Sequence, residues 1–160
     1  MSDADRDAIR QMLEAHNTIT LATCDAGKPW AASVFFASDK HLNLYFVSDY
    51  RTQHARHIEE CGEVVATVNA DCARWADVRG LQIAGTCTAV TGLGRANALR
   101  HYLAKFSDVR ALFEAPKGDD EETIARRLKA AAMYRLAPSW IRLIDNRRGF
   151  GYKQELNLSQ

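Results

Sequence analysis

The sequence predicts a mainly β domain, α+β by content, folded as a closed or nearly closed antiparallel barrel with helices on its outside. Three observations predict it. Six or seven segments alternate with period two or form short apolar runs rich in β-branched and aromatic residues. Short turn signals join most of them, which favours hairpins over crossovers. The chain has 160 residues, 47% of them hydrophobic, enough for one sizeable core, and no linker divides it, so residues 1–160 are taken as one domain.

The elements follow in order. An amphipathic helix over about residues 3–16 opens the chain: Ser2 or Asp3 can cap it, and Ile9, Met12, Leu13 and His16 share one stripe. Thr18 to Cys24 alternates with period two. Asp25-Ala26-Gly27-Lys28-Pro29 then supplies a turn, and Trp30 to Phe36 completes a hairpin. A second turn, Ser38-Asp39-Lys40-His41, leads into a third strand from Leu42 to Val47. The helix after it stops at Gly62, and Glu63 to Asn69 is the next strand. A loop from Asp71 to Arg79 precedes the longest strand, in which Leu81, Ile83, Gly85, Cys87 and Ala89 share one face. Gly85 marks a bulge or a close backbone approach.

From Gly94 the period becomes helical, giving an insert over about residues 94–131 that Pro116-Lys117-Gly118-Asp119 divides into two helices. The first carries Ala98, Leu99, Tyr102, Leu103 and Phe106 on one stripe, the second Ile124, Arg127, Leu128 and Ala131. Met133 to Ala137 and Ser139 to Asp145 return to strand, with Pro138 fitting an edge or a bend.

Composition removes several classes of function. A formal charge of +1 provides no general field for nucleic acid or an acidic membrane, so neither is expected as a partner. No apolar run approaches the roughly 20 residues that span a bilayer, and the polar, acidic start does not resemble an export leader. The expectation is a cytoplasmic protein. Cys24, Cys61, Cys72 and Cys87 show no metal-knuckle or Cys-x-x-Cys spacing and read as free thiols, mostly buried, with Cys24 and Cys87 in the core and Cys72 exposed. Trp30 and Trp75 read as packing anchors, while Trp140 is equally suited to packing and to stacking on a ligand.

The candidate site lies where the third strand ends, in Ser48-Asp49-Tyr50-Arg51-Thr52-Gln53-His54-Ala55-Arg56-His57. Ser48, Asp49 and Thr52 are helix-capping types, and Arg51, His54, Arg56 and His57 bring cationic or protonatable groups to the same turns. A helix N-terminus with unpaired amides, hydroxyls and cations is suited to a phosphate. An ordinary capped helix with solvated charges uses the same residues, and both readings stand at this level. His54 and His57 are spaced to share a helix face, but no third ligand is placed and no metal is expected. Arg147-Arg148, beside Gly149 and Gly151, reads as a mobile grip on an acidic substrate or as a solvated turn.

Four strings, in this order and spacing, resemble the pyridoxamine 5'-phosphate oxidase-like, FMN-binding split barrel family. They are Asp25-Ala26-Gly27-Lys28-Pro29-Trp30, Ser48 with Thr52-Gln53-His54, Gly80-Leu81-Gln82-Ile83-Ala84-Gly85-Thr86, and Tyr134-Arg135-Leu136-Ala137-Pro138-Ser139-Trp140-Ile141-Arg142. The resemblance implies a six-stranded split barrel that forms a homodimer with FMN in clefts between the subunits. It implies that Ser48, Arg51, Thr52 and His54 hold the flavin phosphate and that Ser33 and Val34 offer backbone contacts along the ring. Gln82 would reach the ring or ribityl chain, and Trp140 and Arg142 would reach the same cleft. Two departures matter. His54 stands where many relatives have lysine, which makes the pull on phosphate weaker and pH-dependent. Asp145-Asn146-Arg147-Arg148-Gly149-Phe150-Gly151 replaces the substrate-binding ending of pyridoxamine phosphate oxidases, so that reaction is not expected.

The functions left are an FMN-dependent oxidoreductase with a small-molecule electron donor or acceptor, a flavin-binding or sensing protein without turnover, and a split barrel holding haem or a deazaflavin instead. No catalytic residue is assigned, because flavin chemistry belongs chiefly to the cofactor.

Overall fold

The computed structural model describes residues 2–158. Its helices are α1 (Asp3–Ala15), α2 (Gln53–Glu60), α3 (Gly92–Lys105), α4 (Ser107–Glu114) and α5 (Gly118–Ala130). The strands are β1 (Thr18–Asp25), β2 (Lys28–Ser38), β3 (Leu44–Ser48), β4 (Glu63–Asn69), β5 (Arg79–Val90), β6 (Ala132–Asp145) and β7 (Lys153–Asn157). Strand order is β3-β2-β1-β4-β5-β6-β7, and pairing of β3 with β6 closes the first six into a barrel with β7 outside it.

Closure is incomplete at one seam, and this positions the site. β2 pairs with β1 from Lys28 to Phe35, but with β3 only at Phe36, Ala37 and Ser38. Beyond that point β3 runs along β6 from Leu44 to Ser48. One edge of β2 is therefore left without β3 where Ser33 and Val34 lie.

Alternation sends Ile19 and Leu21 of β1 and Val64, Ala66 and Val68 of β4 into the barrel. Ile9, Met12 and Leu13 of α1 cover this core and are fully buried, a gain of about 1.5–3 kcal/mol for each side chain of this kind. Ser2 caps α1, and its hydroxyl and amide engage Asp5 reciprocally. Ala55 and Ile58 of α2 pack on the same core. A second cluster forms outside the barrel, where Ala98, Tyr102 and Phe106 meet Ala37, Tyr45 and Met133.

Several sequence expectations need correction. The third strand begins at Leu44, because Asp39 accepts from the amides of His41 and Asn43 and turns Leu42 to a φ of 68°. The helical insert holds three helices. Phe106 leaves helical geometry at φ −110°, ψ 86°, and its ring packs against Tyr102 and Phe35. Pro138 interrupts no strand. β6 is continuous, and Pro138 lies opposite Gly85 at a register shift, in the stretch between the β3-paired and β7-paired parts of β6. Gly85 makes the close approach expected of it: a β-carbon there would collide with the Ala137 carbonyl.

The cysteines are less buried than expected. Cys87 is buried, its thiol pushed up to about 12 by burial, and Cys72 is exposed, both as expected, but Cys61 is exposed too, and so is Cys24, which falls on the outward phase of β1. Trp30 and Trp75 are exposed rather than anchored. Arg147 and Arg148 lie in an exposed turn, as the second reading expects, and both are ion-paired. Arg147 binds Asp145, while Arg148 binds Asp5 beside Tyr152, joining α1 to the end of the barrel. Among the described residues no helix is long and apolar enough to cross a membrane.

Candidate functional site: an uncapped helix start and a polar ladder

The loop from β3 to α2 is held by Asp49. Its carboxylate accepts from the Arg51 amide at 2.9 Å and from the Arg51 guanidinium at 2.6 and 3.0 Å. Its carbonyl accepts from the Thr52 amide at 3.1 Å and the Thr52 hydroxyl at 2.8 Å. Thr52 occupies the N-cap position of α2 but makes no side-chain cap: its Oγ1 is turned toward the Asp49 carbonyl, to which it donates, and accepts no helix amide. The first amides of α2 thus have neither a carbonyl partner in the helix nor a capping oxygen. Ser48 and Asp49, read from the sequence as cap types, shape the loop instead.

Three side chains converge there. His54 Nε2 lies 2.7 Å from Ser48 Oγ and 3.2 Å from Thr52 Oγ1, and the two hydroxyls are 3.3 Å apart. With the Thr52 proton committed to Asp49, a chain of donors from His54 Nε2–H through Ser48 to Thr52 satisfies all three. His54 is buried, and burial, with His57 nearby, lowers its pKa below the ordinary 6.5, which favours the neutral ring. Arg51 stands beside this trio, exposed and paired with Asp49, rather than in it.

His57 points elsewhere. Gln53 Nε2 is 2.6 Å from His57 Nε2, while Gln53 Oε1 accepts from Arg56 at 3.2 Å. The amide therefore donates to His57, whose Nδ1–H is left for Thr23 Oγ1 at 3.2 Å. This chain ties α2 to β1, and His54 and His57 have separate hydrogen-bond partners. Among the described residues no group of three His, Cys, Asp or Glu gathers as a metal site.

The other sequence-assigned residues form a second cluster on the outer barrel face. Arg142 donates to Gln82 Oε1 at 3.1 Å and to Glu155 Oε1 at 2.7 and 3.0 Å, and Trp140 Nε1 donates to Glu155 Oε2 at 3.2 Å. The guanidinium sits 4.9 Å from the Trp140 ring centre. This ladder crosses β5, β6 and β7, because Gln82 faces Arg142 and Arg142 faces Glu155 in the strand register. Arg142 holds the Glu155 carboxyl below its ordinary range. Ser33 Oγ lies 3.1 Å from Thr20 Oγ1 on the outward side of β2, and Val34 packs toward the core. A shallow cavity of about 290 Å3 joins Gln82 and Trp140 to Val65 and Ala22.

The structure thus brings Ser48, Thr52 and His54 together, and Gln82, Trp140 and Arg142 together. No hydrogen bond joins the two clusters among the described residues. Sequence reasoning missed Glu155, Thr23 and Gln53. Glu155 lies in Lys153–Asn157, which has one apolar residue and little strand signal, so only its pairing to β6 reveals it.

Comparison with known proteins agrees with the fold. Residues 5–145 match the family model described as Pyridoxamine 5'-phosphate oxidase, and the chain belongs to that family. The UPF0306 protein YhbP of Salmonella arizonae is 28% identical over 147 residues, spanning 91% of this chain and 88% of the relative. Among solved structures, an FAD-binding protein of Mesorhizobium loti (mll6688) superposes with a TM-score of 0.64 at 15% identity, covering 88% of this chain and 92% of that one. The heme storage protein HutZ of Vibrio cholerae gives 0.63 at 17% identity, covering 82% and 88%. At such identities these structures share the fold.

Proposed function

We propose that the chain is an FMN-binding flavoprotein, an oxidoreductase that works as a homodimer with a small-molecule electron donor or acceptor. The observation that carries this is the α2 start, where free amides converge with Ser48, Thr52 and His54 and no side chain of the helix caps them. The free amides can donate to a phosphate directly, and Ser48, Thr52 and His54 would join them by turning from one another and from the Asp49 carbonyl. Arg51 adds charge by exchanging Asp49 for the ligand. The open edge of β2 at Ser33 and Val34 is placed for the ring, and flavin bound there supplies two-electron chemistry.

Gln82, Trp140 and Arg142 lie on a different face from the corner, so a second copy is what brings them to the cleft. The exposed Trp30, Phe35 and Val65 support burial of that outer surface between copies. Three exposed free thiols, Cys24, Cys61 and Cys72, favour the cytoplasm. Pyridoxamine phosphate oxidation itself is not proposed: Arg147 and Arg148 are committed to Asp145 and Asp5. Haem, named for HutZ, is the competing ligand, but the corner's hydroxyls and amides are anion donors, and its imidazole, His54, is buried with Nε2 2.7 Å from Ser48 Oγ rather than open to iron.

Titration with FMN and riboflavin tests the reading, since the two differ only by the phosphate. FMN binding tighter by about 30-fold or more, the worth of at least one charge-assisted hydrogen bond at about 1.5–3 kcal/mol, is expected at one site per chain. Equal affinities refute the corner.

A further inference from the structure

Past Ser48 the corner opens into a cavity of about 730 Å3, within the range of small-molecule sites. Ser48, Tyr50 and Arg51 line one wall and Ile124, Arg127 and Leu128 of α5 the other. The α5 residues are the stripe that periodicity assigns to packing, yet only Ala125 of α5 is buried and Ile124 is 46% exposed. What this stripe faces is the cavity.

Its charges are unbalanced. Asp49 neutralises Arg51, whereas Arg127 has no ion-pair or hydrogen-bond partner for its guanidinium among the described residues. The wall is also fixed in advance. Arg95 donates to the Ala131 and Lys129 carbonyls at 3.0 and 3.1 Å, holding the last turn of α5 to α3. Tyr50 presents a largely exposed ring next to the Arg51 guanidinium, 5.8 Å from its centre. A free guanidinium, an aromatic face and an apolar strip around one volume suit a ligand with an anionic group and a flat heteroaromatic body.

We infer that this cavity binds an adenylate group, with its phosphate on Arg127 and its purine between Tyr50 and the Ile124–Leu128 strip. Two sources supply that group: a nicotinamide dinucleotide or free nucleotide beside the flavin, or FAD, whose second phosphate directly follows the first. The FAD route rests on the flavin reading above, because Ser48 belongs to both the corner and the cavity. The adenylate site does not.

The test is calorimetric titration of the native chain, Arg127→Ala and Ile124→Asp with FMN, FAD and AMP. The expected result is FAD binding at least tenfold tighter than FMN, or AMP binding alongside saturating FMN. Either should weaken at least tenfold in Arg127→Ala and in Ile124→Asp while FMN affinity stays within about twofold, consistent with loss of one charge-assisted contact. AMP that competes with FAD but not with FMN assigns the site to the dinucleotide flavin. NADH that binds with AMP-like sensitivity to Arg127→Ala in the presence of FMN assigns it to a nicotinamide nucleotide. FAD no tighter than FMN together with no AMP binding overturns the inference, as does binding that ignores both substitutions. A chain that takes AMP through Arg127 but refuses FMN refutes the flavin reading and leaves the adenylate site standing.

Discussion

Replacing His54 with lysine turns the one neutral ring of the phosphate corner into a permanent cation. His54 is 7% exposed, and burial keeps its pKa below 6.5. At about pH 7.5 the ring must gain a proton to offer charge as well as an N–H, and burial opposes that gain. The FMN phosphate stays largely dianionic above its second pKa of about 6. Affinity of the native chain should therefore fall by up to about tenfold per pH unit from about pH 6.5 to 8.5, the limit for one linked proton. Lysine, which titrates near 10.4, removes that slope and should tighten FMN by about tenfold at pH 7.5. Flavin fluorescence quenching measures both, and riboflavin, without phosphate, is the control for pH effects elsewhere. An FMN slope no steeper than that of riboflavin, or no gain from His54→Lys, would refute the proton-linked role of His54.

Other consequences are equally measurable. Ser48→Ala combined with Thr52→Ala should weaken FMN by about 2 kcal/mol, near 30-fold, and leave riboflavin unchanged, because in the proposed complex the two hydroxyls leave each other and the Asp49 carbonyl to donate to the phosphate. Gly85→Ala forces a β-carbon onto the Ala137 carbonyl and should cost about 1–3 kcal/mol, read as a Tm lowered by several degrees; an unchanged Tm would deny the close approach. Asp5 accepts from Ser2, Tyr152 and Arg148, and these bonds, Ser2 first, lower its pKa from 3.8 to about 2. Its folded pKa is depressed, so its contribution is present above about pH 3.8 and is lost as pH falls toward 2. Asp5→Asn should lower denaturant stability by about 1–3 kcal/mol at neutral pH. His54 adds a loss of its own in the ligand-free chain: the native state holds it neutral, so stability declines as pH drops through 6.5 toward its lower folded value.

How much of this was legible in the sequence depends on the kind of signal. Period-two alternation locates β1, β2, β4 and β5 within about a residue or two, because one face of each strand is committed to the barrel core. Gly85 announces its close approach, since no other residue fits against the Ala137 carbonyl. The break at Phe106 is invisible, because Phe is no helix breaker and the cause is tertiary: its ring is claimed by Tyr102 and Phe35. β7 is invisible for the opposite reason, as a polar strand whose pairing to β6 is sequence-distant.

The site divides in the same way. Ser48, Thr52 and His54 are close along the chain and could be read together from one decapeptide. That Thr52 would leave α2 uncapped could not, since it depends on where one hydroxyl points. Gln82, Trp140 and Arg142 are joined by Glu155, which no local pattern singles out. Thiol burial failed at Cys24 because one step of strand phase separates a core position from an exposed one.

A visible absorption spectrum of the purified chain, repeated during titration with FMN and then with haem, decides between the proposed ligand and its competitor. A flavin spectrum saturating at one FMN per chain, with no ordered change on adding haem, is the expected result. A chain that ignores FMN and develops a saturable Soret band with haem would contradict the flavin assignment and transfer the corner to a different anion.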